Sequence, residues 1–164
     1  MILASQQIKD LIEKKSLIQG FIDLNEQLQQ AGFDITLEKV FSFKGKGTID
    51  FDNKERSFPE FKEKEFENDF LVLPQGTYKV RFNEKVKLPG NIAAIAQTRS
   101  SLLRMGVHLN TALWDPGFEG KGESNLVVSN PEGVRIKKNA KIVQLVFIKL
   151  ESESKKMYEG IHKN

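Results

Sequence analysis

Hydrophobic and polar positions follow a helical period only near the start of this chain and a strand period over most of the remainder. Residues 5–15, SQQIKDLIEKK, place Ile8, Leu11 and Ile12 at helical spacing, and Ser5 is a suitable N-cap. The spacing predicts a short amphipathic helix at the N-terminus. From about residue 33 the period changes, because FDITLEKVFSF and GTIDF alternate apolar and polar positions as half-buried strands do.

Short apolar runs separated by turn residues occupy the chain from residue 70 onward. The runs are FLVLPQGTYKVRF, KVKLP, NIAAIAQTR, GVHLNT, SNLVVSN, GVRIKK and KIVQLVFIKLE, with PQG, PG, DPGFEG and NPEG as turn segments. Many short strands of this kind predict a mostly β fold, an antiparallel barrel or jelly-roll-like sandwich, rather than a parallel α/β sheet. The charged segment ERSFPEFKEKEFEND, interrupted by Pro59, predicts a loop with an irregular edge.

A length of 164 residues predicts a single domain with a true hydrophobic core. We assign that domain to residues 1–151, and the polar residues 152–164 predict a mobile C-terminal tail. No apolar run approaches the roughly 20 residues that cross a bilayer, and the opening MILASQQIKDLIEKK lacks the pattern of a signal peptide. We therefore expect a cytoplasmic protein with no membrane partner.

Cysteine and charge content exclude several classes of chemistry. The chain has no cysteine and only two histidines, His108 and His162, so a cysteine nucleophile, a disulfide framework and the zinc site of zinc-dependent base deaminases are excluded. The absence of cysteine also agrees with a cytoplasmic location. The net charge of +3 comes from 25 basic and 22 acidic residues spread along the chain, so we expect no nucleic-acid partner.

The segment TRSSLLRMGV contains the residue types of an anion receptor. Arg99 and Arg104 carry guanidinium groups, Ser100 and Ser101 carry hydroxyls, and a helical turn here would add free backbone amides. The alternative is that Ser100 is a helix cap and that both arginines are solvated at the surface. Residue types alone favour neither interpretation.

Two aspartates stand beside turn signals. Asp115, in WDPGFEG, could orient a water or contact a sugar hydroxyl, although aspartate is also common before such turns. Asp34, in AGFDITL, lies two residues after Ala31-Gly32, which permit either a close backbone approach or a plain turn into a strand. Trp114 and Phe118 could stack on a ring of a ligand, although large apolar residues at strand ends are more often part of the core.

These segments resemble one known superfamily. QLQQAGFDITL, QTRSSLLRMGV, DPGFEG, KIVQLVF and KMYEG fall in the order and spacing of the dCTP deaminase and trimeric dUTPase superfamily. The resemblance implies a distorted antiparallel β-barrel, the dUTPase-like fold, assembled as a homotrimer with active sites at the subunit interfaces. The insert GTIDFDNKERSFPEF, together with AGFDITL, resembles the archaeal dUTPase branch.

The resemblance also implies a role for particular residues. The phosphate-binding residues would be Arg99, Ser100, Ser101, Arg104 and Gln144, and Mg²⁺ would bridge the phosphates without a confidently assigned protein ligand. Asp115 would meet the deoxyribose hydroxyl and orient the attacking water, whereas Asp34 would be structural or linked to the metal. Base and sugar contacts would come from Asn110, Thr111, Phe118 and Tyr158, the last of these on a tail that closes over the nucleotide.

Two residues distinguish the two reactions of this superfamily. Deaminases carry a glutamate beside the pyrimidine, and the corresponding position here is Asn125, whose amide has no useful basicity. Glu123 lies two residues earlier on the same strand face and could replace it after a change of register. The sequence therefore predicts hydrolysis of dUTP to dUMP and pyrophosphate. The alternatives are a dCTP deaminase, which could be bifunctional, and a non-catalytic nucleotide-binding homologue.

Overall fold

The computed structural model describes residues 1–160 and contains three helices and eleven strands in that part of the chain. In chain order the elements are α1 (Ser5–Lys15), β1 (Ile18–Gln19), α2 (Leu24–Gln27), β2 (Leu28–Gln29), β3 (Gly32–Lys44), β4 (Glu60–Lys64), β5 (Phe70–Leu73), β6 (Gly76–Lys87), β7 (Ile92–Thr98), α3 (Ser100–Arg104), β8 (Val107–Asn110), β9 (Glu119–Val128), β10 (Val134–Lys137) and β11 (Lys141–Lys149). Every strand pair among these elements is antiparallel, which confirms the mostly β fold with a short N-terminal helix. None of these helices has the length and apolar character needed to cross a membrane.

The main sheet closes almost completely into a barrel. Its strands follow the order β7-β11-β3-β6-β9-β8, with β1 added to β6 and with β2 and β4 added to β3; β5 and β10 form a separate ribbon. The two ends of this path approach each other, because Ala94 in β7 exchanges two backbone hydrogen bonds with Trp114, at 2.9 and 3.0 Å. Near the other end of β7, the Thr98 hydroxyl accepts a hydrogen bond from the Leu109 amide at 2.9 Å. Strand β7 therefore runs beside the segment that connects β8 to the DPGF turn.

Apolar side chains from β3, β6 and β11 fill the barrel. Phe33, Ile35 and Leu37 of β3 are fully buried, as the alternating pattern predicts. Helix α1 buries Ile8 and Ile12 against this core. The predicted cap is wrong by one residue: Ala4 precedes the helix, and its amide donates to the Gln7 side chain at 3.0 Å.

Residues 45–64 differ most from the sequence expectation. GTIDF is not a strand, since it makes only an isolated bridge between Thr48 and Ser57, whereas the charged segment predicted as a loop contains β4. Strand β4 pairs with the end of β3, where the Phe43 and Phe61 rings meet edge to face at 5.7 Å. These contacts join residues far apart in sequence, so local pattern could not reveal them.

The C-terminal tail has no helix or strand between residues 150 and 160, yet it contacts the barrel. The Ser154 amide donates to the Gly90 carbonyl, and the Tyr158 amide donates to the Pro116 carbonyl, both at 2.9 Å. The rest of the predicted tail, residues 161–164 with His162, lies outside the described residues. The tail therefore begins where β11 ends and folds back over the DPGF turn of its own chain.

Candidate active site

Arg99 lies where β7 ends and α3 begins. It is the residue preceding α3, so the alternative in which Ser100 caps that helix is wrong. The Arg99 Nε lies 3.2 Å from Oδ2 of Asp34, and its Nη1 donates to the Lys141 carbonyl at 3.4 Å. A carboxylate behind the guanidinium and a carbonyl beside it orient the arginine, because its donors are fixed in one plane.

Asp34 and Gln144 are direct neighbours across β3 and β11, so their side chains share one face of the sheet. Gly32 lets the two strands approach: an added Cβ would lie 2.5 Å from the Leu145 carbonyl oxygen and 2.8 Å from Nε2 of Gln144. The glycine before Asp34 is therefore required for close backbone approach. The structure brings Arg99, Asp34 and Gln144 together, as the sequence analysis grouped the arginine and the glutamine.

The Asp34 carboxylate is almost completely buried, at 1% exposure. Burial raises its pKa above the ordinary aspartate value, and the positive charges of Arg99 and Lys141 oppose that rise. Gln29 adds a hydrogen bond to Oδ2 at 3.2 Å. Of its two predicted roles, these contacts favour the structural one, because the carboxylate supports Arg99.

Helix α3 presents several polar groups to solvent. Ser100, Ser101 and Arg104 are exposed, and within residues 1–160 no acceptor is found for their side chains or for the amides of Ser100 and Ser101. These free donors stand next to Arg99 at the start of one short helical turn. A cluster of donors without acceptors is suited to an oxyanion such as a phosphate group.

Asp115 occupies the first position of a tight turn. The Phe118 amide donates to the Asp115 carbonyl at 3.1 Å, and Gly117 has a φ of +82°, as a proline-glycine turn of type II requires. The turn interpretation is therefore correct for the backbone. The carboxylate itself is exposed, has no hydrogen-bond partner among residues 1–160, and lines a cleft of about 400 Å³ beside Tyr158.

Four aromatic rings contact one another in a series that ends at Tyr158, which lines this cleft. Trp114 stacks on Phe82 with ring centroids 6.2 Å apart, Phe118 lies 5.1 Å from Trp114, and Tyr158 covers Phe118 edge to face at 5.3 Å. Phe118 is only 7% exposed, so Trp114 and Phe118 belong to the core. Phe118 also lines a smaller cavity of about 140 Å³ together with Trp114, Glu123 and Tyr158.

Asn110 and Asn125 face each other across β8 and β9. Both are exposed, and their side-chain amides have no hydrogen-bond partner in the described part of the chain. Thr111 follows Asn110 directly and is half-buried. Glu123 shares the outer face of β9 with Asn125, but Lys79 holds its two carboxylate oxygens at 3.0 and 3.1 Å. Glu123 is thus an ion-pair partner rather than a free base.

One chain does not bring Asp115 and Arg99 together. Trp114, next to Asp115, pairs with Ala94, which lies five residues before Arg99 along β7. At the usual rise of a strand, Ala94, which lies beside the residue before Asp115, is about 17 Å from Arg99. Within one subunit, the candidate water-orienting carboxylate and the candidate phosphate donors therefore lie near opposite ends of β7.

Sequence patterns did not predict the polar residues behind these surfaces. Lys79 neutralises Glu123 and lies 3.8 Å from the centre of the Phe61 ring. Gln27, Thr36 and Glu84 are buried polar residues, and both Gln27 and Thr36 donate hydrogen bonds to the Glu84 carboxylate. In the sequence, each of these residues is only a polar residue inside or beside an apolar run. That pattern does not identify its hydrogen-bond partner.

Comparison with known proteins gives one consistent family. The profile of the family described as dCTP deaminase-like matches residues 2–150. A probable deoxyuridine 5'-triphosphate nucleotidohydrolase from Archaeoglobus fulgidus is 46% identical over 162 residues, covering 99% of this chain and 95% of its own. A Methanosarcina barkeri protein of the same name is 48% identical over 165 residues, covering 99% and 96%. The crystal structure of 2'-deoxycytidine 5'-triphosphate deaminase from Agrobacterium tumefaciens shares the fold, with a TM-score of 0.66 and 22% identity over 89% of this chain and 47% of that chain.

Proposed function

The chain belongs to the dCTP deaminase-like family, and we propose that it is an enzyme that hydrolyses dUTP to dUMP and pyrophosphate. The observation that carries the proposal is the exposed Asp115 carboxylate, held on a rigid turn without a protein partner. A carboxylate that serves only its own turn would accept a hydrogen bond from a nearby backbone amide. This one is available to a water molecule or to a sugar hydroxyl.

In the proposed reaction, Asp115 orients a water molecule for attack on the α-phosphorus. A bond forms between the water oxygen and that phosphorus, the bond from phosphorus to the bridging oxygen breaks, and pyrophosphate leaves with the electron pair. The proton lost by the water passes to the solvent. Arg99 and Arg104 contribute fixed positive charge, and Ser100 and Ser101 donate hydrogen bonds as negative charge develops on the phosphate oxygens. Gln144, opposite Asp34, completes the phosphate contacts.

The residues present fit a Mg²⁺ ion that is held mainly by the substrate. No group of three or more acidic, histidine or cysteine side chains within residues 1–160 could hold a metal. Asp34 is engaged with Arg99, so Asp115 is the one carboxylate of the candidate site that remains free. Mg²⁺ commonly binds substrate phosphates and waters with one or two carboxylates, and when bound it would offset phosphate charge.

We place the complete active site between subunits of a homotrimer. The separation of about 17 Å along β7 between Arg99 and Ala94, which lies beside the residue before Asp115, supports this assembly, because a second chain can supply the missing half. Ile49 is 86% exposed and Phe51 is fully exposed, and exposed apolar side chains of this size are typical of an interaction surface. The tail beyond residue 151 would close over the bound nucleotide through Tyr158.

Base recognition is assigned to the outer face of β8 and β9. The amides of Asn110 and Asn125 offer donors and acceptors side by side, as a uracil edge requires, and Thr111 extends this surface. A dCTP deaminase needs a carboxylate that can take up a proton near the base. Glu123 is the nearest carboxylate on this face, and its engagement with Lys79 argues against that second activity.

The test is a product assay with dUTP and dCTP in parallel, each with Mg²⁺. The proposal expects dUMP and pyrophosphate from dUTP, and no uracil nucleotide from dCTP. Formation of dUTP or dUMP from dCTP would establish a deaminase. Binding of dUTP without release of pyrophosphate would identify a non-catalytic nucleotide-binding protein.

A further inference from the structure

Glu84 is a completely buried carboxylate outside the site described above. Its Oε1 accepts hydrogen bonds from the Thr36 hydroxyl at 2.6 Å and from Nε2 of Gln27 at 2.7 Å, and its Oε2 accepts one from the Thr36 amide at 2.9 Å. No cation within residues 1–160 pairs with it. Burying an acidic group is costly, so its three neutral donors must be held in a defined geometry.

The position of Glu84 coincides with a division in the sheet. Strand β3 pairs with β6 as far as Leu37, opposite Phe82, and its preceding residues pair with β11 instead. Beyond Phe82 the carboxylate of Glu84 takes the place of a backbone acceptor, because it binds the Thr36 amide. Glu84 therefore holds β3 at the point where that strand leaves β6 for β11.

Gln27 extends this contact to Asp34. Its Nε2 donates to Glu84 and to the Asp34 carbonyl, at 2.7 and 2.8 Å, and its Oε1 accepts from the Ile22 and Asp23 amides, at 2.7 and 3.1 Å. All four hydrogen-bonding positions of the amide are thus used. Rotating the amide would exchange donors for acceptors at every partner, so its orientation is determined by its surroundings.

We infer that Glu84 is a positioning residue for the phosphate-binding arginine, acting through Gln27 and Thr36 on Asp34 and through Asp34 on Arg99. Glu84 hydrogen-bonds directly to Thr36, which lies two residues after Asp34. It reaches Asp34 itself through the side-chain amide of Gln27. Asp34 in turn lies 3.2 Å from the Arg99 guanidinium. The inference rests on the proposed function, since Arg99 is assigned to the triphosphate only there.

Two matched pairs of variants separate positioning from simple stability. Glu84→Gln keeps the shape of the side chain but presents a donor to groups that are already donors. Glu38→Gln is its control, because Glu38 is also a carboxylate on the sheet but pairs with Arg81 and Lys121 rather than with Gln27 or Thr36. Thr36→Val removes the hydroxyl and keeps the branched shape, whereas Thr36→Ser retains the hydroxyl.

The readouts are kcat and KM for dUTP, the affinity for inorganic pyrophosphate by calorimetry, and the melting temperature. We expect Glu84→Gln and Thr36→Val to raise KM and weaken pyrophosphate binding by about tenfold, and to lower kcat/KM for dUTP by at least as much. Thr36→Ser should restore most of the affinity, and Glu38→Gln should not change it. Adding Glu84→Gln to Asp34→Asn should weaken binding little further, because both act through Arg99.

Each outcome separates this inference from the proposed function. If the wild-type protein hydrolyses dUTP but Glu84→Gln only lowers the melting temperature, with KM and pyrophosphate affinity unchanged, the positioning role is overturned and the proposed function stands. If the wild-type protein binds pyrophosphate without hydrolysing dUTP, the proposed function fails and the binding comparison still decides the positioning role. Absence of any pyrophosphate binding by the wild-type protein overturns the inference as well.

Discussion

The Asp34 carboxylate lies directly behind the Arg99 guanidinium, with 3.2 Å between Oδ2 and Nε. The aspartate is buried, whereas the arginine side chain keeps 31% of its surface exposed. A buried acid thus holds one edge of a guanidinium, whose exposed part remains available to a ligand. Charge-assisted pairs of this kind give a phosphate-binding arginine a fixed direction.

Asp34→Asn is expected to separate affinity from stability. Burial raises the pKa of Asp34 in the folded protein, so its stabilising contribution is present at low pH and is lost as the pH rises through that raised pKa. At neutral pH, removing the buried charge should leave the melting temperature unchanged or higher. KM for dUTP should rise by about tenfold, because Arg99 loses its orienting partner. A lower melting temperature with unchanged KM would contradict this account.

The same pKa direction predicts a pH dependence of substrate affinity. As the pH falls, Asp34 takes up a proton at a higher pH than an ordinary aspartate, and its hold on Arg99 weakens. KM for dUTP should therefore rise on mild acidification in the wild-type protein. Because dUTP itself also titrates, Asp34→Asn is the reference: the ratio of wild-type to variant KM should change with pH. A constant ratio would show that Asp34 does not control the affinity.

Asp115→Asn should slow turnover by about a hundredfold or more while leaving nucleotide affinity largely intact, because the amide cannot orient the attacking water as a carboxylate does. The measurement is single-turnover hydrolysis of dUTP together with calorimetric binding. Asp10→Asn is a suitable control, since that carboxylate lies on helix α1, where it pairs with Lys14 and accepts a hydrogen bond from Gln6. Unchanged turnover in the Asp115 variant would refute the role assigned to Asp115.

Mixing two inactive variants tests the interfacial site. Asp115→Asn removes the candidate water-orienting group, and Arg99→Ala removes a candidate phosphate-binding group. Within one chain these two groups lie near opposite ends of β7, about 17 Å apart along the strand. Hybrid trimers formed from an equal mixture should regain about a quarter of the wild-type sites, because a quarter of the interfaces combine both intact halves. Activity that stays at the level of the separate variants would mean that both residues act within one subunit.

Tyr158→Ala tests the closing tail. The tyrosine ring covers Phe118 at 5.3 Å and lines the cleft beside Asp115, so its loss should expose the candidate site to solvent. We expect kcat/KM for dUTP to fall by about tenfold, with a change in melting temperature of only a few degrees. The tail would have no part in turnover if kcat/KM remained the same.

Local pattern predicted the elements whose signals are contained within a few residues. Helix α1 and the long strands β3, β6 and β11 follow from apolar periodicity, and the DPGF turn follows from its proline and glycine. Strand β4 was missed because its stabilising contacts, Phe61 with Phe43 and Glu63 with Lys39, join distant positions. Contacts between residues that are 18 or 24 positions apart produce no hydrophobic period in the local sequence.

The sequence predicted which residues of the candidate site belong together, but it did not predict which of its polar residues are buried. Motif order placed Arg99 and Gln144 in one group, and the structure brings both to Asp34. Alternation in FDITL shows that Asp34 and Thr36 share a face, but it also suggested that this face meets solvent. The face is buried instead, because Glu84, 48 residues away from Thr36, lies against it. Burial of polar side chains depends on distant partners, which a single sequence does not identify.

Hydrolysis of dUTP in water enriched in oxygen-18 tests the proposed attack of water on the α-phosphorus most directly. Attack of an oriented water on the α-phosphorus predicts one labelled oxygen in dUMP and none in pyrophosphate, as measured by mass spectrometry after a single turnover. Label in the pyrophosphate, or release of phosphate in place of pyrophosphate, would contradict the proposed reaction.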